Sequence, residues 1–558
     1  MVPAITAWRC AILSCAALMG LSGIAAAQVP PAQLPPSPGA VQQQNIELQR
    51  KLLEEERRRS SQETPGSPLD TRAIEKPEKP PGQAPSLRFL LKRIEFSPSE
   101  ILSKQELDDI AAQYQGKEVT FAELQSVVAK VNALYRAKGV INAEAVLPPQ
   151  DVSGGVVMVR LVEGRIGRYN LDGAVTTREK YVLGRMHAPI GSLLDLKTLE
   201  RDLIWFNRTN DVQLRAELKP GGSFGTTDVE LKLTEPGRHA LHVFTDNSGG
   251  KSVGENRIGL IYQNRSLLGY RDELTVSTTR SEGDEGAALS YALPVNTWGG
   301  RLQIGYNQDR TKIKNGPFAS LDISGTATAW SGTFRQPFYV TAANKLEATL
   351  GYAERSSTTW VSNVQLPKID TADITVGLDG NRLDVGGTWT GNLNFTSGHA
   401  SKPVHVPYTI LRGFLRRDQD LPGSFRGRIN LSGQSTNFDL LPGSEQLYIG
   451  GAGTVRGYSN LAYGGNSGYV ANAELHHAVP TFGVPNVNVS GFVFFDHGET
   501  KPVGPGLNTI MLQSVGFGAD FAIYRRVFGH LTFGHQLRDK PQEPRNYRID
   551  FSLVMQVF

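Results

Sequence analysis

The residues best placed to do chemistry are an arginine on a glycine-rich turn and an aspartate about forty residues later. Gly450-Gly451-Ala452-Gly453-Thr454-Val455-Arg456-Gly457-Tyr458 carries glycines before and inside it. They permit positive φ and close backbone approach, so the segment can fold tightly and present Arg456 at its tip. Phe494-Phe495-Asp496-His497-Gly498 supplies the matching carboxylate. Such a pair, shielded from bulk water, pins a loop more firmly than a surface bridge worth ~0–1 kcal/mol. Loss of one partner leaves the other charge poorly compensated. The chemistry is that of a fastener.

Other motifs carry less. Gly221-Gly222-Ser223-Phe224-Gly225 fits the nucleophile-elbow pattern but lies between two short strands instead of on a strand-to-helix turn. Gly250-Lys251-Ser252 ends like a phosphate-binding loop, yet Thr245 stands where its first glycine belongs. His476 and His477 adjoin on a strand and point to opposite faces, which disfavours joint metal ligation. The sequence therefore assigns no catalytic residue, no metal ligand and no cofactor, and the chain is read as a non-enzyme. Its two cysteines, Cys10 and Cys15, both fall in the first segment. A net charge of +4 from 58 basic and 54 acidic residues argues against a nucleic-acid partner.

Residues 1–27 read as an export signal: Arg9, a short apolar run, then Ala25-Ala26-Ala27. Residues 28–59 begin proline-rich and continue as a helix over Gln42 to Arg59, with Ile46, Leu48, Leu52 and Leu53 its only large apolar residues and Glu54–Arg58 and Glu55–Arg59 as supporting pairs. So thin an apolar face buries little, which leaves two placements: in solvent or inside a polar cavity. Residues 60–87 hold six prolines among polar residues and read as an extended, semi-rigid linker.

Residues 88–164 read as a β-α-α-β-β unit, with capping boxes Ser103-x-x-Glu106 and Thr120-x-x-Glu123. The second opens a helix whose Phe121, Leu124, Val127, Val128, Val131, Leu134 and Tyr135 recur at helical spacing. Residues 165–236 repeat the order, with Thr176-x-x-Glu179 as a further capping signal and a helix starting near Asp195. Two such modules beside an exported β-rich region resemble POTRA domains. Each is expected to keep an exposed sheet edge to which an extended peptide can add.

Residues 237–558 are short alternating segments separated by turns. Leu302, Ile304 and Tyr306 alternate with polar residues, as do Leu346, Leu350 and Tyr352, and Tyr547, Ile549, Phe551, Leu553, Met555 and Val557 near the end. Apolar-out, polar-in strands at ~20 residues each with their connections give roughly sixteen and point to a transmembrane β-barrel. Counting by twos, Asn488, Ser490, Phe492, Phe494 and Asp496 share the face that looks into the lumen.

Val455-Arg456-Gly457-Tyr458 with Phe494-x-Asp496-x-Gly498, in a chain ordered helix, proline-rich linker, two αβ modules and barrel, resembles the TpsB transporters of two-partner secretion. The resemblance covers the whole mature chain. It implies a mainly β fold: a 16-stranded transmembrane barrel preceded by two α/β POTRA domains and an N-terminal helix that plugs the lumen. It implies a loop folded into the barrel, Arg456 paired to Asp496, and no cofactor. It further implies a place in the bacterial outer membrane with the POTRA domains in the periplasm. The partners implied are outer-membrane lipid, the barrel assembly machinery and a secreted haemolysin- or adhesin-like exoprotein in extended form. An assembly factor that inserts other barrels is the alternative within the superfamily; only two POTRA modules and a plug-like helix stand against it. One departure concerns the C-terminus, where the outward-facing set ends at Val557 and Phe558 falls out of phase.

Overall fold

A computed structural model describes residues 35–60, 68–71, 88–140, 142–401, 405–438, 440–481, 485–502, 508–540, 543 and 545–558. The expected export signal, most of the linker, and the Arg58 and Arg59 side chains lie outside the described residues.

The first αβ module folds around its longer helix. Phe121–Ala137 buries Leu124, Val127, Val131 and Tyr135 against Leu91, Ile94, Val157 and Val159, while Phe121 at its start stays exposed. Both expected capping boxes form. Ser103 Oγ accepts from Glu106 N at 3.3 Å, and Glu106 Oε2 accepts from Ser103 N at 2.8 Å. Hydrogen bonds from Lys138 and from Ser103 hold the Glu106 carboxyl down at about 2. The expected single strand from Arg88 to Phe96 is broken into Arg88–Leu91, which pairs with Lys117–Thr120, and Arg93–Phe96, which lies parallel to Val156–Glu163. Ala143–Val146 forms the outer edge of that second sheet.

The second module departs from expectation twice. Thr176 does not cap a helix: Glu179–Leu183 begins at Arg178 with no side-chain cap. Thr176 N and Thr177 N instead donate to the Glu235 carboxylate at 2.9 Å each, because that charged acceptor sits at the exit to the barrel. The second departure is in the linker. Leu69–Asp70 lies parallel to Gln213–Pro220, with Leu69 opposite Ala216 and Ala216 N donating to Pro68 O at 2.9 Å. One of the two edges of this module's sheet is thus partly covered by the chain's own linker, since unpaired edge N–H and C=O groups bond to an extended segment within reach, and Arg165–Asp172 forms the other edge.

The second module is fixed to the barrel through turns at one end of the barrel. Arg271, 1% exposed, forms a forked pair with Asp211, its Nε 3.0 Å from Oδ1. Trp205 Nε1 donates to Trp298 O at 3.0 Å, and the His187 ring stacks on Trp298 with centroids 4.1 Å apart.

Sixteen antiparallel strands close the barrel, the first, His239–Asp246, pairing with the last, Tyr547–Gln556. A two-residue strand, Val364–Gln365, folds back on the end of Asn344–Val361. The alternation read from sequence sorts as expected. Ile304, Leu350, Tyr352, Ile549 and Met555 face outward, while Asp309, Asp496 and Asp550 are buried on the inner side. Among the described residues no helix is long and apolar enough to cross a membrane.

The N-terminal helix, Pro38–Ser60, starts before the expected Gln42, with proline tolerated in its first turn. It lies in the lumen, the second of the two placements its thin apolar face left open. Val41 packs with Val253, Ile313, Ile323 and Leu461, and Gln42 Nε2 donates to Ala327 O at 3.0 Å.

Candidate functional site: a loop anchored inside the barrel

The glycine-rich segment belongs to the connection between Phe425–Thr436 and Ser467–Val479. That connection contains a short 3-10 turn, Gly443–Glu445, and a small hairpin of Leu447–Ile449 with Tyr463–Gly465. It folds inward because its tip is apolar: Ile449, Val455, Tyr458 and Tyr463 bury against Val470 and Leu512 of the wall.

Arg456 is 4% exposed and Asp496 is 0% exposed. The guanidinium grips the carboxylate with two bonds, Nε to Oδ2 at 2.8 Å and Nη2 to Oδ1 at 2.7 Å, and Arg456 N adds a third to Oδ2 at 3.0 Å. Planar two-pronged contact of this kind is what arginine offers and lysine does not. The Phe494 ring lies under the guanidinium, 3.6 Å from its carbon.

Every other member of the two motifs has a task. Gly457 stands at φ +89°, and a Cβ there would lie 3.1 Å from the Gly534 backbone. Gly457 O accepts from Gln536 Nε2 at 2.6 Å. Gly498 leaves room for Val455, whose Cγ2 would be 2.7 Å from an added Cβ. The Tyr458 hydroxyl lies 2.9 Å from the backbone oxygen of Gln513 and 2.8 Å from that of Arg538, which share its single hydrogen. The loop tip is therefore fastened by charge, by ring stacking and by backbone fit.

These features agree with what similar proteins show. The profile of the haemolysin secretion/activation protein family ShlB/FhaC/HecB matches residues 225–521, and that of the ShlB-type POTRA domain matches residues 89–164. The chain belongs to this family. It is 26% identical over 467 residues to the heme/hemopexin transporter protein HuxB of Haemophilus influenzae, covering 78% of this chain and 81% of HuxB. It is 26% identical to the outer membrane transporter CdiB of Escherichia coli, covering 81% and 78% of the two chains. The solved structure of Escherichia coli CdiB superposes with a TM-score of 0.67 at 21% identity over 94% of this chain and 100% of that one. CdiB of Acinetobacter baumannii gives 0.63 at 18% identity over 93% and 98%. As a member of the family the chain is an outer-membrane pore of two-partner secretion, with its POTRA modules in the periplasm.

Several residues of the site were not read from the sequence. Glu474 accepts from Arg456 Nη1 at 2.7 Å, so the arginine serves two carboxylates. Asn472 Nδ2 ties Asp496 Oδ1 at 2.8 Å to Thr454 O at 2.7 Å. From Glu474 the charges continue round the wall through Arg428, Asp418 and Arg416. Both Asn472 and Glu474 sit on an inward-facing row legible by counting twos, but that Asn472 lies opposite Asp496 depends on strand register.

The base of the loop has a second anchor. Glu445, 1% exposed, accepts from Arg412 Nη2 at 2.9 Å, and Arg355 sits 3.1 Å from its other oxygen. Arg355 in turn pairs with Asp373, which accepts from the Tyr408 hydroxyl. The neighbouring Gly443 and Ser444 are where the N-terminal helix begins: a Cβ at Gly39 would lie 3.4 Å from Ser444 Cβ.

Of the motifs set aside, the serine turn lies away from the lumen site, whereas His476 borders it. Ser223 lies in the turn between Gln213–Pro220 and Thr226–Thr234. His476 is buried and its neighbour His477 exposed, as opposite faces require. His476 Nε2 lies 2.8 Å from Glu474.

Proposed function

We propose that this pore captures an unfolded haemolysin- or adhesin-like exoprotein at a POTRA sheet edge and passes it in extended form beside the anchored loop after the N-terminal helix withdraws. The observation that carries this reading is the double filling of the lumen by a polar helix and a loop pinned through Arg456 and Asp496. A pore so closed must open for a passenger; the loop is joined at both ends to barrel strands, whereas the chain after the helix is next described at Leu69–Asp70 on the second POTRA module. Among the described residues nothing pairs with the outer edge of Ala143–Val146, which offers itself for backbone pairing; the edge of Gln213–Pro220 is held by Leu69–Asp70 and needs displacement.

In this reading residues 1–27 direct export, 28–59 close the pore, 60–87 tether the helix, 88–164 and 165–236 receive the passenger, and 237–558 conduct it. The drive comes from folding of the passenger outside, where burial of apolar surface opposes return. Outer-membrane lipid and the barrel assembly machinery are the remaining partners; no catalysis, cofactor or nucleic acid enters.

Insertion of other barrels is a second reading, favoured by a fold likeness to BamA of Haemophilus ducreyi at a TM-score of 0.52 and 15% identity. One experiment separates the two. The protein is co-expressed with the large exoprotein whose gene adjoins its own, and the medium is assayed. Secretion that depends on this protein supports the first reading; secretion that persists without it, with other barrels failing to insert, supports the second.

A further inference from the structure

The N-terminal helix is held at one point by an arrangement with more specificity than a plug requires. Asn45 projects its side-chain carboxamide towards the inner wall formed by His239–Asp246, Arg257–Asn264, Asp284–Pro294 and Arg301–Lys312. Its Nδ2 donates to Asp284 Oδ2 at 2.9 Å and to Asp309 Oδ1 at 2.8 Å. Its Oδ1 accepts from Arg257 Nη1 at 2.9 Å. Both hydrogens of the amide nitrogen and the carbonyl oxygen are thus met by two carboxyl groups and a guanidinium on the wall.

Of the wall groups, Arg257 is fixed independently of the helix. Arg257 is clamped by Asp246 through two bonds of 2.9 Å each, and Arg257, Asp246, Asp284 and Asp309 are 5%, 4%, 2% and 3% exposed. Gly286 makes the space, because a Cβ there would lie 2.6 Å from Asp309 Oδ1 and 3.6 Å from Asn45 Nδ2. Asp284 Oδ1 is buried with no hydrogen-bond partner, an acceptor held in the cradle and left over.

We infer that this cradle is a receptor for a primary carboxamide, occupied at rest by Asn45 and open to asparagine or glutamine side chains of the passenger once the helix leaves. The chemistry discriminates. A backbone amide has one N–H and cannot serve both carboxylates. A serine hydroxyl likewise has one hydrogen. A lysine ammonium can serve both carboxylates but offers no acceptor to Arg257. Withdrawal of Asn45 leaves two carboxylates and a guanidinium edge unpaired in the lumen, and a passenger carboxamide restores the same bonds, so passenger and helix compete for one place. This inference rests on the secretion-pore reading for the identity of the passenger, not for the existence of the site.

The test uses the purified full-length protein in planar bilayers. Asn45→Ala is expected to raise the open fraction roughly tenfold, the effect of losing about one net charged hydrogen bond. Millimolar formamide should then restore closure, whereas ammonium at equal ionic strength should not. Peptides of equal length bearing Asn, Ser or Lys are next added on the periplasmic side of the Asn45→Ala channel. The Asn peptide should block about tenfold longer than the Ser peptide, and that difference should vanish when Asp309→Asn is combined with Asn45→Ala. Asn45→Gln and Asn45→Lys give the same comparison within the intact helix: glutamine should keep most of the closure and lysine should not. Closure by ammonium or by Asn45→Lys as good as by a carboxamide overturns the inference in favour of a plain acidic patch. Equal dwell times for Asn and Ser peptides overturn it in favour of a helix anchor only. These readouts do not use secretion, so rescue by formamide in a protein that secretes no exoprotein would sink the pore reading alone.

Discussion

The two occupants of the lumen are held by different physics. The loop is fastened by buried ion pairs and apolar packing: Arg456 with Asp496 and Glu474, Glu445 with Arg412 and Arg355, and Val455 and Tyr458 against the wall. The first turns of the helix, apart from the small cluster around Val41, are held by neutral side chains, as in Gln42 to Ala327 O, Gln44 to Ser248 O and Asn45 to two aspartates, while Glu47 and Glu55 further along add electrostatic attraction to Arg412 and Arg428. A buried charge pair is costly to open because each charge left behind is poorly solvated. Neutral amides exchange for water, or for another polar chain, at small net cost. The loop is built to stay and the helix to leave.

That contrast can be broken at several points. Arg456→Ala and Asp496→Ala should have the largest effect, since each strands a buried charge worth ~3–5 kcal/mol. Secretion should fall by an order of magnitude or more while heat-modifiable barrel is still recovered from the membrane. Normal secretion by both variants would remove the fastener from the mechanism. Deletion of Gln42 to Arg59 comes next and should raise single-channel conductance several-fold with little change in barrel heat stability; an unchanged conductance would show that the helix does not close the pore.

Glu445→Ala tests whether the two occupants are coupled. Loss of the carboxylate leaves Arg412 with one protein acceptor fewer and loosens the turn on which the helix begins, at a cost of ~1–3 kcal/mol. The open fraction should rise although no residue of the helix has changed. If it stays at the wild-type level, helix and loop move independently. The smallest effect is expected at Asp70→Pro, which removes an N–H from a two-residue strand. Binding of an extended exoprotein fragment to the second POTRA module should strengthen only about two- to fivefold, the value of roughly one exposed backbone bond. Weaker binding instead would mean that the linker strand belongs to the receiving surface.

Much of this was legible because the physics is local. Capping at Ser103 and Thr120 depends on residues three apart, and the outward rows at Ile304, Leu350 and Ile549 follow from a period of two. Asp496 could be placed on the inner face for the same reason. What misled was also local: Thr176-x-x-Glu179 has the spacing of a cap, but a glutamate from the far end of the module binds Thr176 first.

By itself, then, the sequence determined the αβ modules, the barrel, the lumen-or-solvent choice for the helix, the facing of the strands it singled out and the two charges that had to find each other, since burial and periodicity act along the chain. Tertiary structure alone decided which neighbours those charges share. Glu474 and Asn472 reach the Arg456–Asp496 pair only through the register of two adjoining strands, and Glu445 meets Arg355 only because a loop folds across the lumen. Asn45 gains its cradle, and Leu69 its strand partner, from segments more than a hundred residues away in sequence. Contacts at that separation are fixed by closure of the barrel and docking of the modules, which no local pattern encodes.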